Sequence, residues 1–221
     1  MSKVSEASNL SERARLGQEK RVRTRAAILE ATFRVIGRGQ GHMARVDDVC
    51  EEAGIARPTF YTYFNSIDEL MAALSYRLTH GFNVAVLEYC TSLDNPAEEH
   101  AAALCYYLHK AATDPMWGWG MVNISMAGPI FGAETSEAAA KAIKRGIEQG
   151  EFKVANMDVA LDILLGTALS AMVTILRGGV APDYPEIVVQ HTLIAMGVPR
   201  RRAERIAKRP LPDLAVSNKE S

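Results

Sequence analysis

The sequence predicts an all-α chain. Apolar residues recur at intervals of three and four along most of its length, which is typical of helices with one buried face. No segment alternates between apolar and polar residues for long, and Asn-Gly turn pairs are absent. A hydrophobic content of 48% over 221 residues is ordinary for a soluble globular protein with a sizeable core.

The N-terminal region is predicted to contain an arm and one helix. Residues 1–18 are rich in Ser, Arg and Glu, and we expect them to form a disordered basic arm. The helix begins near Arg21 and carries apolar residues at helical spacing. We expect it to end at a cluster of glycines, Gly37, Gly39 and Gly41.

Two short helices follow, separated by a glycine turn. The first covers residues 46–53, and Gly54 is suited to the left-handed conformation that ends a helix. The second covers residues 57–64, with Pro58 in the first turn, where its missing N–H is not needed. Ile55 and Phe60 are expected to hold the second helix against the first.

The remaining helices are predicted from caps and breaks. Ser66 with Glu69 forms a capping box, which begins a long helix to about residue 90. A short aromatic segment, residues 116–126, follows the break at Asp114-Pro115 and is expected to be an irregular helix because it contains two glycines. Further helices are predicted over residues 96–112, 134–149, 157–177 and 183–196.

Charge is distributed unevenly. Residues 1–65 contain 11 Lys or Arg and 8 Asp or Glu, whereas residues 66–197 contain 7 and 15, and residues 198–221 contain 7 and 3. Both ends are therefore basic and the middle is acidic. This arrangement suits a basic domain that binds DNA phosphates, joined to an acidic domain that the phosphates repel. Solvation of ordinary helix surfaces is the alternative explanation.

Composition favours a cytoplasmic protein that does not span a membrane. The three cysteines form no CxxC pair, which fits a reducing compartment, and the first 18 residues contain no apolar signal core. The longest uncharged apolar run lies between Asp162 and Arg177, and it is shorter than the ~20 residues that a spanning helix needs. We expect it to be a buried helix.

The segment from Arg45 to Phe64 is typical of a helix-turn-helix, whose second helix enters the DNA major groove. The second helix carries hydrogen-bonding side chains on short or rigid stems, which suit phosphates and base edges: Arg57, Thr59, Tyr61, Thr62 and Tyr63. Arg21, Arg23 and Arg25 could clamp the backbone or enter the minor groove. A helical hairpin with solvated polar residues is the alternative.

Residues from about Arg21 to Leu74 resemble the DNA-binding head of the tetracycline-repressor (TetR) family. The matching pieces are Ile28-Leu29-Glu30-Ala31, Gly41, Val46-Asp47-Asp48-Val49, Ala53-Gly54-Ile55, Thr59-Phe60-Tyr61-Thr62-Tyr63-Phe64, Asn65-Ser66 and Asp68-Glu69-Leu70. The resemblance implies a homodimeric regulator, usually a repressor, which binds a palindromic double-stranded operator and releases it on binding a small, largely apolar effector.

The same resemblance implies individual roles in DNA binding. Arg45 would contact phosphate; Arg57, Thr59 and Thr62 would face the groove; Tyr61 and Tyr63 would meet the backbone. Two residues depart from the family pattern. Ala56 stands where a Ser usually caps the recognition helix, and Ile67 replaces a frequent phosphate-contacting Lys.

The body offers an aromatic and Met-rich set that could line an adaptable apolar pocket. We expect the effector to be bound by Phe82, Tyr89, Tyr106, Met116, Trp117, Trp119, Met121 and Met172. The alternative is that these side chains simply form the core.

A stripe of small residues on the apolar helix predicts the dimer face. Gly166, Ser170 and Thr174 recur every four residues and would let a partner helix approach closely. The residues expected to face inward are Leu161, Leu164, Leu165, Ala168 and Met172. Together with the next helix this stripe could build a four-helix bundle between subunits. Packing within one chain is the alternative.

An enzyme and a pure interaction module are the two alternative classes of protein. No GxSxG, P-loop or GxGxxG motif supports an enzyme, and no cofactor is expected. Cys105 and His109 lie four apart on one helix, but two ligands alone do not define a metal site, and we predict none. A pure interaction module would explain the helices but not the polar second helix of the helix-turn-helix.

The expected organisation has four parts: the arm (1–18), a helix-turn-helix domain (19–65), an effector-binding and dimerisation domain (66–198) and a basic C-terminal tail (199–221).

Overall fold

The computed structural model describes residues 2–38 and 44–214, with side chains from Glu12 onward. Within these ranges it contains no strand, so the predicted all-α class is confirmed. The helices are α1 (Ser2–Gly37), α2 (Val46–Ala53), α3 (Arg57–Tyr63), α4 (Ile67–Thr91), α5 (Pro96–Thr113), α6 (Pro115–Ala127), α7 (Ala133–Glu148), α8 (Met157–Leu161), α9 (Thr167–Arg177), α10 (Tyr184–Ala195) and α11 (Arg200–Ala207).

Helices α1 to α3 form a small head around its own apolar centre. Ile28, Ile36, Val49, Phe60 and Phe64 are almost completely buried there. An ion-pair clamp joins α1 to α2 at the edge of this centre. The Glu52 carboxylate accepts hydrogen bonds from Arg34 at 2.7 Å and from Arg38 at 2.8 Å, and these bonds lower the pKa of Glu52.

The body is built around α5, which packs against α4, α6, α7, α9, α10 and α11. Most of the side chains of α5 are buried, including Leu104, Cys105 and Leu108. Helix α4 begins in the head and ends in the body, so one rigid element belongs to both parts.

The apolar helix is continuous through a π-helical turn, Asp162–Gly166, which joins α8 to α9. Leu164, Leu165, Ala168 and Met172 are buried, as predicted, whereas Leu161 is only half-buried. The helix as a whole is not a buried one, however. Only 39% of its most apolar window is covered by the chain, because Val159, Ser170 and neighbouring residues face outward.

The N-terminal end of the chain differs from the prediction. Helix α1 begins at Ser2 rather than near Arg21, because Gly17 is the only helix breaker before Gly37 and i,i+4 pairs such as Arg15–Glu19 support the segment. At the other end, residues 200–207 of the basic tail form helix α11, whose Ala203, Ile206 and Ala207 are buried. The predicted stops at Gly39 and Gly41, and residues 215–221, lie outside the described residues.

The aromatic segment also differs from the prediction, because α6 is a regular helix rather than an irregular one. Its glycines serve close packing. A Cβ on Gly118 would lie 2.9 Å from Leu176, and one on Gly120 would lie 3.1 Å from the Phe33 ring. The two glycines therefore allow α9 and α1 to lie directly against α6.

The head rests on the body through α1 and α6. The Asn123 amide of α6 donates a 2.8 Å hydrogen bond to the carbonyl of Ile36, in the last turn of α1. Gly37 meets Met116 at the start of α6. From α4, Arg77 donates to the Ala26 carbonyl at 3.2 Å and pairs with Glu30. A displacement of α6 would therefore also displace the end of α1, where the head meets the body.

His100 makes the body sensitive to acid. Its side chain is buried against Phe152, its Nε2 has no hydrogen-bond partner, and burial lowers the pKa of His100 to about 4. In the unfolded chain His100 is protonated near pH 6.5, whereas in the folded protein it is protonated only near pH 4. Stability is therefore present above pH 6.5 and is lost as pH falls from 6.5 towards 4.

We expect the free energy of unfolding to fall by about 2 kcal/mol between pH 7 and pH 5 because of this one group. Urea denaturation of His100→Leu should lack that component, whereas the exposed His191→Gln control should retain it. Equal pH dependence in the wild type and His100→Leu would show that His100 is not the cause.

Candidate DNA-binding interface and effector cleft

The turn of the helix-turn-helix is set by Gly54. Its φ of 64° is left-handed, as predicted, and its N–H caps α2 on the carbonyls of Cys50 and Glu51. The next amide, of Ile55, returns to the Cys50 carbonyl at 3.0 Å. These bonds satisfy the last carbonyls of α2 and fix the direction in which the chain enters α3.

Helix α3 is held by two phenylalanines and exposes its polar face. Phe60 and Phe64 are buried at 0% and 1% relative exposure. Arg57, Tyr61 and Thr62 are exposed, while Thr59 and Tyr63 are half-buried. The five predicted contact residues of this helix therefore remain at least partly accessible.

Helix α4 has a side-chain N-cap hydrogen bond, whereas helix α3 has none. Ala56 is the N-cap of α3 and provides no side-chain bond, so the expected weakness is present. Ser66 caps α4 by accepting from the Glu69 amide at 3.1 Å. The Glu69 carboxylate bonds to the backbone and side-chain amides of Asn65, both at 2.8 Å, so the predicted reciprocal box is shifted by one residue.

Two of the predicted DNA-binding arginines already have partners within the head. Arg57 pairs with Asp47 of α2 at 3.1 Å, and both side chains are more than half exposed. A side-chain hydrogen bond with Tyr61, followed by the charge of Asp47, raises the pKa of Arg57. The Arg25 guanidinium lies 4.9 Å from the centre of the Phe64 ring.

The other predicted arginines are placed differently. Arg45 is the N-cap of α2, and its backbone N–H donates to the Asp48 carboxylate at 3.1 Å, which leaves its side chain exposed. Arg23 is exposed on α1. The structure thus gathers Arg25 near the end of α3, and brings Arg57 to the start of α2, where Arg45 lies.

Several predicted effector residues instead form an aromatic core. Phe82 meets Trp117 edge-on with ring centres 5.6 Å apart, and Tyr107 contacts both rings. The Trp117 indole donates a 3.1 Å hydrogen bond to the Leu78 carbonyl. A cluster packed this closely, with its polar groups paired, leaves little room for a ligand.

The other predicted effector residues are scattered. Met121 and Met172 are fully buried, Trp119 is half-buried and Met116 is 42% exposed. Tyr106 packs edge-on against Tyr89 and donates to the Pro212 carbonyl at 2.7 Å. Tyr89 borders a crevice of about 10 Å³, which has room for roughly one water molecule.

A much larger cleft lies between α4, the end of α6 and the start of α7. Its volume is about 470 Å³, within the ~300–1,000 Å³ typical of small-molecule sites. Apolar groups such as Met71 and Ile124 line it together with hydroxyl and carboxylate groups from Ser75, Thr79 and Glu134. None of the eight predicted effector residues lies on its walls.

A polar network borders the cleft. His80 bonds to Glu134 at 2.8 Å and stacks on Tyr76 with ring centres 4.5 Å apart. Asn83 bonds to Thr135 at 3.2 Å and accepts a hydrogen bond from the Tyr107 hydroxyl. These bonds tie α7 to α4 at the mouth of the cleft.

Sequence reasoning missed this cleft because it weighed only aromatic and Met side chains. A usable signal existed on α4. Asp68, Met71, Ala72, Ser75, Tyr76 and Thr79 recur at intervals of three and four and so share one helix face. Small and hydroxyl side chains on a face packed inside a protein leave space and hydrogen-bonding capacity.

A polar recognition helix held by a glycine turn, joined through α4 to a helical body, defines a DNA-binding transcriptional regulator. Two family models match the chain: residues 28–74 match "Bacterial regulatory proteins, tetR family", and residues 95–209 match "Tetracyclin repressor-like, C-terminal domain". The second match alone spans more than half of the sequence. The chain belongs to the tetracycline-repressor family, whose regulators are not enzymes.

Solved structures agree with this assignment. RolR in complex with its ligand resorcinol is 26% identical, with a TM-score of 0.71 over 90% of this chain and 100% of RolR. FadR from Bacillus subtilis in complex with stearoyl-CoA is 17% identical, with a TM-score of 0.59 over 77% of this chain and 96% of FadR, and it shows the shared fold. The search of curated proteins finds no match.

Among the residues that the structure describes, one continuous helix, Met157–Arg177, is long and apolar enough to cross a membrane by length and composition alone. A single such helix is weak evidence for a membrane span, because the core helix of a soluble protein passes the same test.

The loop that closes the cleft depends on Gly132. Its φ of +86° is strained for any other residue, and a Cβ would lie 1.9 Å from the Ser75 hydroxyl. We expect Gly132→Ala to lower the free energy of unfolding by more than the ~1–2 kcal/mol of the backbone term alone.

Gly150→Ala is the matched control, because Gly150 has a φ of +73° and open space around it. Adding Ser75→Ala should restore part of the loss for Gly132→Ala and none for Gly150→Ala. Equal losses in urea denaturation for the two glycine variants would refute the steric contact.

Proposed function

We propose that this chain is a homodimeric transcriptional repressor that leaves its operator when a small, largely apolar effector binds. The observation that carries the proposal is α3, whose apolar side is buried by Phe60 and Phe64 while its polar side stays accessible. In this proposal residues 19–65 bind DNA, and residues 66–198 bind the effector and the second subunit.

The DNA contacts follow from position. Thr59 and Thr62 are short donors and acceptors suited to base edges, and Tyr61 and Tyr63 have hydroxyls that can reach phosphates. Arg23, Arg25 and Arg45 supply positive charge around α3, which releases counterions from DNA and makes binding salt-dependent. Arg57 must exchange Asp47 for the DNA in order to contribute.

The dimer face is supported by the exposed side of α8, α9 and α10. Val159 and Ile187 are large apolar residues at 54% and 43% exposure. No atom lies within 4 Å of where a Cβ on Gly166 would be, so the small-residue stripe is open. A second copy of the same helices would cover this face, and regulators of the family bind DNA as dimers.

We place the effector in the cleft between α4, α6 and α7 rather than among the packed aromatic side chains. Apolar walls with a few hydroxyl and carboxylate groups suit a compact aromatic or short acyl compound better than a long-chain acyl-CoA. The resorcinol bound by RolR is of this compact kind.

The cleft is well situated to influence the head. Its walls include Ile124 of α6 and the first three turns of α4. Helix α6 holds the end of α1 through Asn123, and α4 continues from the head without a break. A ligand that separates α4 from α6 would therefore change the spacing of two recognition helices that must match half-sites about 34 Å apart.

Removing Arg57 and removing the charge of Asp47 should change operator affinity in opposite directions. We expect Arg57→Ala to weaken operator binding by about tenfold or more, because a DNA contact is lost. Asp47→Asn should strengthen binding by roughly two- to fivefold, because Arg57 is released and a negative charge is removed from the interface.

Fluorescence anisotropy with operator DNA at about 0.15 M salt measures both effects. Asp94→Asn is the control, since it removes the same charge from an exposed position in the body. The contact assignment fails if Arg57→Ala binds like the wild type, or if Asp47→Asn and Asp94→Asn give the same affinity.

Filling the cleft tests the effector site. Ala72 is exposed on the cleft wall, so Ala72→Trp should occupy the space with little effect on folding or on operator binding. With resorcinol as the probe, we expect wild-type operator affinity to fall at least about fivefold. Ala72→Trp should abolish that response, and Ala112→Trp, an exposed control on α5, should keep it.

An Ala72→Trp variant that still releases the operator in resorcinol would contradict this placement of the effector. A wild-type protein that keeps its operator in saturating resorcinol would contradict resorcinol as an effector of this chain.

A further inference from the structure

Three metal-ligating side chains meet where α5 crosses the start of α10, away from the cleft and from the head. Cys105 and His109 are one helical turn apart on α5, and Glu186 lies in the first turn of α10. Their candidate ligand atoms all lie within 4.8 Å of one another.

The separations fit a tetrahedral metal ion. Cys105 Sγ lies 3.8 Å from His109 Nε2, and His109 Nε2 lies 3.3 Å from Glu186 Oε1. With Zn–S about 2.3 Å and Zn–N or Zn–O about 2.1 Å, tetrahedral ligands would be about 3.6 Å apart for S and N, and about 3.4 Å apart for N and O. The third separation, between Cys105 Sγ and the Glu186 carboxylate, is at most 4.8 Å.

One oxygen of the Glu186 carboxylate lacks a hydrogen-bond partner. Glu186 Oε2 is buried and has no hydrogen-bond partner, which is costly for a charged oxygen. The contact with His109 engages only the other oxygen, Oε1. A cation between the three side chains would neutralise the charge of this partly satisfied carboxylate.

The thiol completes the set of three ligands. Cys105 is 5% exposed, and its Sγ lies within 4.8 Å of both the His109 and the Glu186 ligand atoms. A divalent cation would take the place of the thiol proton on binding.

We infer that Cys105, His109 and Glu186 form a binding site for a zinc-type divalent cation. A thiolate, an imidazole and a carboxylate select borderline-soft metals over Mg²⁺ and Ca²⁺, which prefer oxygen ligands alone. The His109 side chain is 46% exposed, so a fourth position faces solvent and the ion is exchangeable. Bound metal would fix α10, whose Ile187 belongs to the proposed dimer face, to the centre of α5.

Cobalt spectroscopy tests the site on the full-length protein after removal of metals with a chelator. Titration with Co²⁺ should give one ion per chain, visible bands of tetrahedral Co²⁺ and a near-ultraviolet thiolate-to-cobalt charge-transfer band. Cys105→Ser should lose the charge-transfer band, while Cys90→Ser, a change at another buried thiol, should keep it.

Two further variants guard against a folding artefact. His109→Gln alters an exposed side chain, and Glu186→Gln keeps the shape of the carboxylate; each should weaken Co²⁺ binding at least about tenfold. Zn²⁺ should displace Co²⁺ in the wild type. The inference is overturned if the wild type shows no charge-transfer band, if Cys105→Ser retains it, or if both substituted ligands leave the Co²⁺ affinity unchanged.

Discussion

The burial of Phe60 and Phe64 is the interaction on which the rest of the molecule depends. Helix α3 spans only Arg57–Tyr63, which is too short to be stable alone in water. Its N-cap, Ala56, contributes no side-chain bond. The helix therefore exists because Phe60 and the C-cap residue Phe64 enter the centre of the head beside Ile28 and Val49, which leaves the opposite face free for DNA.

Close packing also joins the head to the body, through the contact between α1 and α6. Helix α1 ends against α6, where Gly120 permits contact with Phe33 and Asn123 holds the Ile36 carbonyl. Because α6 also contributes a wall of the cleft, the head and the candidate effector site share one structural element. A regulator needs such a shared element, since a ligand can shift DNA affinity only through contacts that differ between two states.

Local chemistry allowed much of the fold to be predicted from sequence. Gly54, Pro58 and Ser66 act through their own backbone or cap geometry, so helices α2 to α4 could be bounded closely. The features that the sequence did not predict depend on which distant side chains pack together. Gly118 and Gly120 could equally have loosened a helix or admitted its neighbours, and only the positions of Leu176 and Phe33 decide between these outcomes. Likewise, Glu186 joins Cys105 and His109 only because α10 folds back on α5.

The central claim is that two copies of this head read DNA together. Hydroxyl-radical footprinting of the full-length protein, on the duplex it selects from a random-sequence library, tests it directly. The account predicts two protected half-sites related by inverted symmetry, with centres about 34 Å apart or a multiple of that spacing. Failure to select any sequence at about 0.15 M salt, or protection of a single unpaired site, would contradict it.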